Sequence, residues 1–356
     1  MKIAIDCRMI GKSGIGTYIE NIVPIILEYN KNNTYLLIGN KQQIEKFQSL
    51  KNVELQFTDI PPLSIKEFFF FPVSRINKCD AYYTPYINIP LGIKVPIFST
   101  IHDVVFLDIK GLSSWFGTIV RKSFYKRAID ISKCIFTVSE FSKSRIVSHF
   151  QTNKNIYVTY SAISKEIKNF QQTQDKIYDF PYFIFVGNIK KHKGIDLLIQ
   201  ASQIIKETDP NLKIVIVGDY KKFKSKDKHI INLMKNISDN IMFTGYISNK
   251  LLYNIIIQAQ ALILPSYYEG FGLPPLEALY LGGNALISDI PVLKEIYENL
   301  PVTFFKQGDV KELAKSISTF EKKNIDISST RKFIDSKYNF ESIIVPQIIN
   351  IIESNL

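Results

Sequence analysis

Twice along this chain of 356 residues a strand-like apolar run meets a glycine turn and leads into alternating strand and helix patterns. That doubled alternation restricts the fold more than any other feature. The first series opens on KIAID, passes GKSGIG and a helical segment from Thr17 to Tyr29, and continues through TYLLIG, VELQF, AYYT, PIFSTIH, CIFTVS and IYVTY. The second opens on YFIFVG and runs through helix 195–207, LKIVIVG, helix 226–236, IMFTG, helix 249–259, ALILP, helix 274–282, ALISD and helix 291–298. Between them the polar stretch Lys165 to Asp179, KEIKNFQQTQDKIYD, reads as a linker. The expected fold class is therefore α/β, with two Rossmann-like domains facing a cleft, residues 1–165 and 166–337, each large enough for its own core.

Several classes are set aside by composition. No segment approaches the ~20 uninterrupted apolar residues of a membrane span, and Leu251 to Leu264 is broken by Asn254, Gln258 and Gln260. The opening MKIAIDCRMIG lacks a long apolar core with a cleavage site, so no signal peptide is expected and the chain is read as cytoplasmic. Cys7, Cys79 and Cys134 are scattered, as befits buried small hydrophobes in a reducing compartment. The net charge of +11 is uneven: residues 1–165 hold 21 Lys and Arg against 12 Asp and Glu. A basic first half suits an anionic partner, nucleic acid or an anionic membrane surface, as well as a plain solvated face. Basic residues gather in RKSFYKRAIDISK, residues 121–133, and four phenylalanines, Phe68 to Phe71, precede Pro72. Core burial is the expectation for those rings, with membrane-surface contact as the alternative.

Ligands of open α/β sheets bind at the carboxyl ends of strands, so the loops there carry the candidates. Gly11 to Gly16 fails as a phosphate loop of Walker type, whose first glycine would fall on Asp6, and as a dinucleotide fingerprint, which would need glycine at Ile19. It remains either a tight turn or a backbone that approaches a ligand. His102-Asp103 follows PIFSTI; Lys190, Lys191, His192 and Lys193 crowd the turn VGNIKKHKG, which suits a phosphate at a helix start. FTGYIS is a fourth loop. The fifth, PSYYEGFGLPPLEAL, sets Glu269 on a loop and Glu277 in a helix's first turn, around Phe271, Gly272 and Leu273, whose amides stand at a helix N-terminus.

With these residues in order, the chain resembles the family 4 glycosyltransferases, group 1 enzymes of the GT-B fold that use nucleotide sugars with retention. The resemblance covers nearly the whole length and is strongest in PSYYEGFGLPPLEAL, which matches the family's E-x7-E signature. It implies that Glu277 binds the ribose hydroxyls, that Glu269 binds the donor sugar, and that the amides of Phe271, Gly272 and Leu273 face sugar and diphosphate. It further implies Lys193 on the leaving diphosphate, Gly14 and Gly16 as close backbone approaches to it, Tyr246 with Ile247 beside the base, and His102 at the reacting face. The family's arginine would follow the Val186-Gly187 pair or precede the lysine, and those positions are Asn188 and His192 here.

No metal and no cofactor are expected. A nucleoside diphosphate leaves as a stable anion, so cations and amide dipoles serve where a glycosidase needs an acid. The resemblance also implies that Tyr338 to Leu356 returns as a helix to the first domain. The expected activity moves a hexose or deoxyhexose from a nucleotide diphosphate to a glycan, lipid-pyrophosphate-linked at the inner membrane face, in O-antigen or capsule assembly. A nucleotide-sugar epimerase or phosphorylase of the same fold is the rival, and a nucleic-acid-binding protein the rival of another class.

Overall fold

A computed structural model describes residues 1–173, 175–218, 228–235 and 237–356, and two compact units are found in it. Unit 1 comprises Met1–Asp108, Ser113–Ala162 and Tyr338–Leu356; unit 2 comprises Ile109–Leu112 and Ile163–Lys337.

Seven strands of unit 1 pair in parallel: β1 (Lys2–Asp6), β2 (Thr34–Gly39), β3 (Val53–Phe57), β4 (Ala81–Thr84), β5 (Ile97–Thr100), β6 (Cys134–Thr137) and β7 (Ile156–Val158). Their order is β3-β2-β1-β4-β5-β6-β7, so the sheet reverses its direction of growth between β1 and β4. β4, β5 and β6 are buried at every position, the mark of a parallel sheet covered on both faces. The terminal segment of unit 1 forms a π-helical turn, Phe340–Ile344, and a helix, Val345–Ser354, that packs on the Ser13–Tyr29 helix. Asn30 and Asn33 both donate to Glu353 there, at 3.0 and 2.9 Å.

Unit 2 pairs β8 (Tyr182–Val186), β9 (Lys213–Val217), β10 (Ile241–Gly245), β11 (Leu262–Leu264), β12 (Ala285–Ser288) and β13 (Thr303–Phe305) in the order β10-β9-β8-β11-β12-β13, again all parallel. Its reversal lies between β8 and β11. Phe183, Phe185, Ile195, Leu198, Ile214, Ile263 and Leu286 meet in its core.

Several expectations change. The first helix starts at Ser13, so Gly14 and Gly16 belong to its first turn. The stretch read as a linker is part of unit 2: Lys165–Lys168 is helical, and the amides of Thr173 and Ile177 donate to Asn254 and Gln258, both at 3.0 Å. The helix expected over 226–236 is described as Lys228–Lys235, with positions 226, 227 and 236 outside the described residues. Of the four phenylalanines Phe71 is buried, whereas Phe69 and Phe70 are each 73% exposed. The Ile65–Phe70 helix turns Glu67 inward to an arginine, which sets Phe69, about 200° further round, toward water, while Phe70 is exposed as the last residue of the helix. Cys7, Cys79 and Cys134 are free and buried. Among the described residues no helix is long and apolar enough to cross a membrane.

Candidate active site

In unit 2 the chain builds β8, grows outward through β9 and β10, then crosses to β11, which leaves the loops after β8 and β11 side by side. Such a reversal opens a crevice at the carboxyl ends of the strands. The first loop runs from Gly187 and Asn188 into a 3-10 turn, Lys191–Lys193, and Gly194 then starts the Ile195–Thr208 helix. Gly194 is left-handed, and a Cβ there would lie 1.9 Å from the carbonyl oxygen of Pro265 in the second loop, so only glycine lets the two loops meet. The amides of Tyr267 and Tyr268 donate to the carbonyl of His192, at 2.8 and 3.3 Å. Two loops far apart in sequence thereby become one wall.

On that wall the Lys193 ammonium donates to both carboxylate oxygens of Glu269, at 2.7 and 2.6 Å, and the Ser266 hydroxyl donates to Oε1 at 2.6 Å. Ser266 is itself held by Ser288, whose hydroxyl donates to its carbonyl at 2.7 Å. Glu269 is buried, so its charge depends on these donors. An ammonium has three N–H groups, and two bonds to Glu269 leave a third for an anionic or hydroxyl acceptor.

Glu277 is in a different state. The Leu273–Leu281 helix starts after Gly272, whose carbonyl accepts the Tyr297 hydroxyl, and its first turn carries Pro274 and Pro275. Glu277 consequently falls in the second turn, one turn later than expected. It is half-buried, and no donor among the described residues meets its carboxylate. Burial, and then the charge of Glu166, raise its pKa to about 7. Glu166 is fixed by Asn249, which donates to it at 2.8 Å. One carboxylate of the E-x7-E pair is thus tied to a cation and the other is without one.

The remaining expected donor-side residues follow the ends of β8, β10 and β11. Phe271 is buried and Leu273 half-buried at the helix start. Tyr246 follows β10 and is 95% exposed, with Ile247 half-buried behind it. His192 is buried, its Nδ1 meets no partner among the described residues, and burial, followed by the charge of Lys193, lowers its pKa to about 4. It is a neutral ring at physiological pH and does not supply the positive charge of the family's arginine.

Unit 1 assembles a second group of candidates at its own reversal. His102, after β5, donates through Nε2 to the carbonyl of Pro85, after β4, at 3.0 Å, which leaves Nδ1 unprotonated in the neutral ring. Tyr18, on the helix after β1, meets the imidazole edge-on at 4.9 Å. Burial lowers the His102 pKa to about 4. Asp103 accepts from the Val105 amide at 3.0 Å and serves the backbone turn. Gly14 is exposed with open space at its Cβ position; a Cβ on Gly16 would lie 2.5 Å from the carbonyl oxygen of Met9.

Beneath this loop lies a network that the sequence reading missed. Arg8 donates through Nη2 to Asp6 and Glu67, both at 2.5 Å, and through Nε to Asp6 at 2.9 Å; the Tyr82 hydroxyl donates to Asp6 at 2.9 Å. All four side chains are buried. An Asp-x-Arg at a strand end is legible, but Glu67, 59 residues away from Arg8, carries no local signal. Among the described residues no group of three or more His, Cys, Asp or Glu is placed to hold a metal ion.

Residues 166–340 match the family model of glycosyl transferases group 1. Among curated proteins the O-antigen chain mannosyltransferase RfbU of Salmonella typhimurium is 24% identical, over 95% of this chain and 96% of its own. Among solved structures, sucrose-phosphate synthase of Thermosynechococcus elongatus superposes with a TM-score of 0.77 at 16% identity, covering 99% of this chain and 98% of that one. HepE of Anabaena, solved with UDP and glucose, gives 0.72 at 15% identity, covering 99% and 100%. The fold is GT-B. Residues 166–340 thus carry the group 1 glycosyltransferase family, and the chain is a glycosyltransferase.

Proposed function

We propose that this enzyme moves a hexose or deoxyhexose, with retention, from a nucleoside diphosphate to a lipid-pyrophosphate-linked glycan in the assembly of a bacterial O-antigen or capsule. The observation that carries the donor side is the wall formed by Lys193, Ser266 and Glu269 at the reversal of unit 2, beside the N-terminus of the Leu273–Leu281 helix. A diphosphate needs a cation and helix-end amides, and a sugar needs a hydroxyl acceptor; Lys193 and Glu269 hold these opposite chemistries in direct contact. Glu277 takes the ribose hydroxyls, Gly272 and Leu273 present amides to the diphosphate, and Tyr246 with Ile247 flanks the base. Gly187, Asn188 and His192 shape the loop that carries Lys193. Gly14, Gly16 and His102 are assigned the phosphate and reacting side, with neutral His102 offering Nδ1 as an acceptor. No step uses a metal.

The acceptor reading is supported by the likeness to the O-antigen mannosyltransferase, and the donor reading by the likeness to a protein solved with UDP and glucose. A thermal-shift screen against UDP, GDP, ADP and dTDP, followed by the sugar forms of whichever binds, tests it. The expected result is stabilisation by one nucleoside diphosphate and slow release of sugar from its conjugate with retained anomeric configuration. Stabilisation by none, or an inverted product, overturns the respective part.

A further inference from the structure

Two helices of unit 1 present aromatic rings to water with no part in the site. Phe68 and Phe124, whose ring centroids are 5.5 Å apart, join the Ile65–Phe70 helix to the Trp115–Ile131 helix. Next to this joint Phe69 and Phe70 are exposed, and on the longer helix Trp115 is 77% and Phe116 63% exposed, with Ile119 and Val120 also open. At ~100° per residue Trp115, Ile119, Lys122 and Lys126 fall on one outward stripe, and Phe116 and Val120 flank it on the side that leads round to Phe124.

The charge on this surface is mainly positive. The Trp115–Ile131 helix carries Arg121, Lys122, Lys126 and Arg127 against Asp130, which is exposed and pairs with Lys126 at 3.0 Å, an exchangeable surface contact that a lipid phosphate can replace. Lys66 is exposed, whereas the charge of its neighbour Glu67 is turned inward onto Arg8. The short helix therefore shows water its rings and its lysine.

We propose that this surface docks the enzyme on an anionic lipid bilayer, with Phe69, Phe70, Trp115 and Phe116 entering the boundary between headgroups and acyl chains, and Lys66, Lys122 and Lys126 meeting lipid phosphates. This rests on the lipid-linked acceptor proposed above and supplies the means of reaching it. The order along the outward stripe, rings at one end and ammonium groups at the other, follows the depth gradient of a bilayer interface, where aromatic rings sit deep and lysines reach up to the phosphates. Protein interfaces are depleted of lysine relative to the rest of the surface, whereas this surface presents Lys66, Lys122 and Lys126 beside its rings. Each lysine near an anionic surface raises partitioning about fivefold, so three matched to phosphates suffice to hold a few inserted rings.

Trp115 is the one tryptophan of the chain, so its fluorescence reports on this surface alone. The full-length protein is mixed with vesicles of two parts phosphatidylcholine to one part phosphatidylglycerol, and with phosphatidylcholine alone. The expected result is a blue shift of emission and quenching by brominated acyl chains in the anionic vesicles, both weakened by added salt. Phe69→Ser with Phe70→Ser should sediment with these vesicles about tenfold less. Lys122→Glu with Lys126→Glu should lose the preference for anionic lipid. Nucleoside-diphosphate stabilisation of both variants, measured without lipid, should match that of the parent, which shows that they are folded. An unshifted emission, or parental sedimentation by the Phe69→Ser, Phe70→Ser variant, overturns the docking surface. Absent vesicle binding with intact nucleotide binding rejects this proposal alone; vesicle binding with no nucleotide binding rejects the transfer reading alone.

Discussion

Both units place an ion pair at the point where their sheet reverses, and the two pairs are put to opposite use. In unit 1 Arg8 is enclosed by Asp6, Glu67 and Tyr82, all buried, so its guanidinium is already taken up by two carboxylates of the protein itself. In unit 2 Glu269 is buried while Lys193 is only partly so, and Glu277 has no cation. A saturated network fixes a backbone, and an unsaturated one waits for a partner. The same topology thus supplies scaffold in one unit and candidate chemistry in the other.

The strongest test of this contrast is Arg8→Ala. It leaves two carboxylates buried without a cation and should cost about 3–5 kcal/mol of stability, read from urea denaturation. Parental stability would mean that the network is wet and the contrast false. Lys193→Ala should do the reverse, costing less stability than Arg8→Ala because water reaches the vacated position, while kcat/KM for sugar transfer falls about 10²- to 10³-fold. Parental kinetics would remove Lys193 from the site.

Glu277→Gln sharpens the comparison through pH. The folded-state pKa of about 7 lies above the value near 4.3 of an unfolded glutamate, so the native state holds the proton more tightly. Stability is therefore greatest below the lower value, falls as pH rises through the window between the two, and is level above it. The glutamine variant should lack that decline and gain about 1–3 kcal/mol over the parent at pH 8, seen in denaturation across pH. Donor affinity should move the other way: in the parent it should tighten as the carboxylate ionises near pH 7, and in Glu277→Gln it should be weaker and flat. A pH-independent donor Kd in the parent would end the ribose assignment.

Smaller effects are expected where little is buried. Tyr246→Ala removes an exposed ring and should leave stability within about 0.5 kcal/mol, while donor Kd rises about five- to tenfold by lost stacking. An unchanged Kd in titration calorimetry would place the base elsewhere. Gly14→Ala meets open space in a helix and should stabilise by up to about 1 kcal/mol, with a lowered transfer rate if a ligand approaches that backbone. Thermal melts and kinetics on the same sample separate these two readings.

The alternation of strands and helices and the positions of the loops were legible because periodicity and glycine turns are local. The Glu269 and Glu277 motif was legible for the same reason: one contiguous stretch carries both residues. The phenylalanine run was legible only in part: Phe71 is buried as expected, whereas Phe69 and Phe70 are exposed, because composition does not say which side of a six-residue helix turns inward. The Lys165 to Asp179 stretch was misread because its backbone is satisfied by Asn254 and Gln258, far along the chain.

By itself, then, the sequence determined two α/β sheets and the chemical types at their strand ends, since those follow from hydrophobic period, turn residues and a short signature. The tertiary structure alone decided which charges are quenched. That Lys193 lies 2.6 Å from Glu269, that Arg8 finds Glu67, and that Glu277 finds no cation depend on which loops the strand order brings together. Burial then sets their protonation, because a charge taken from water keeps its state only where a partner meets it.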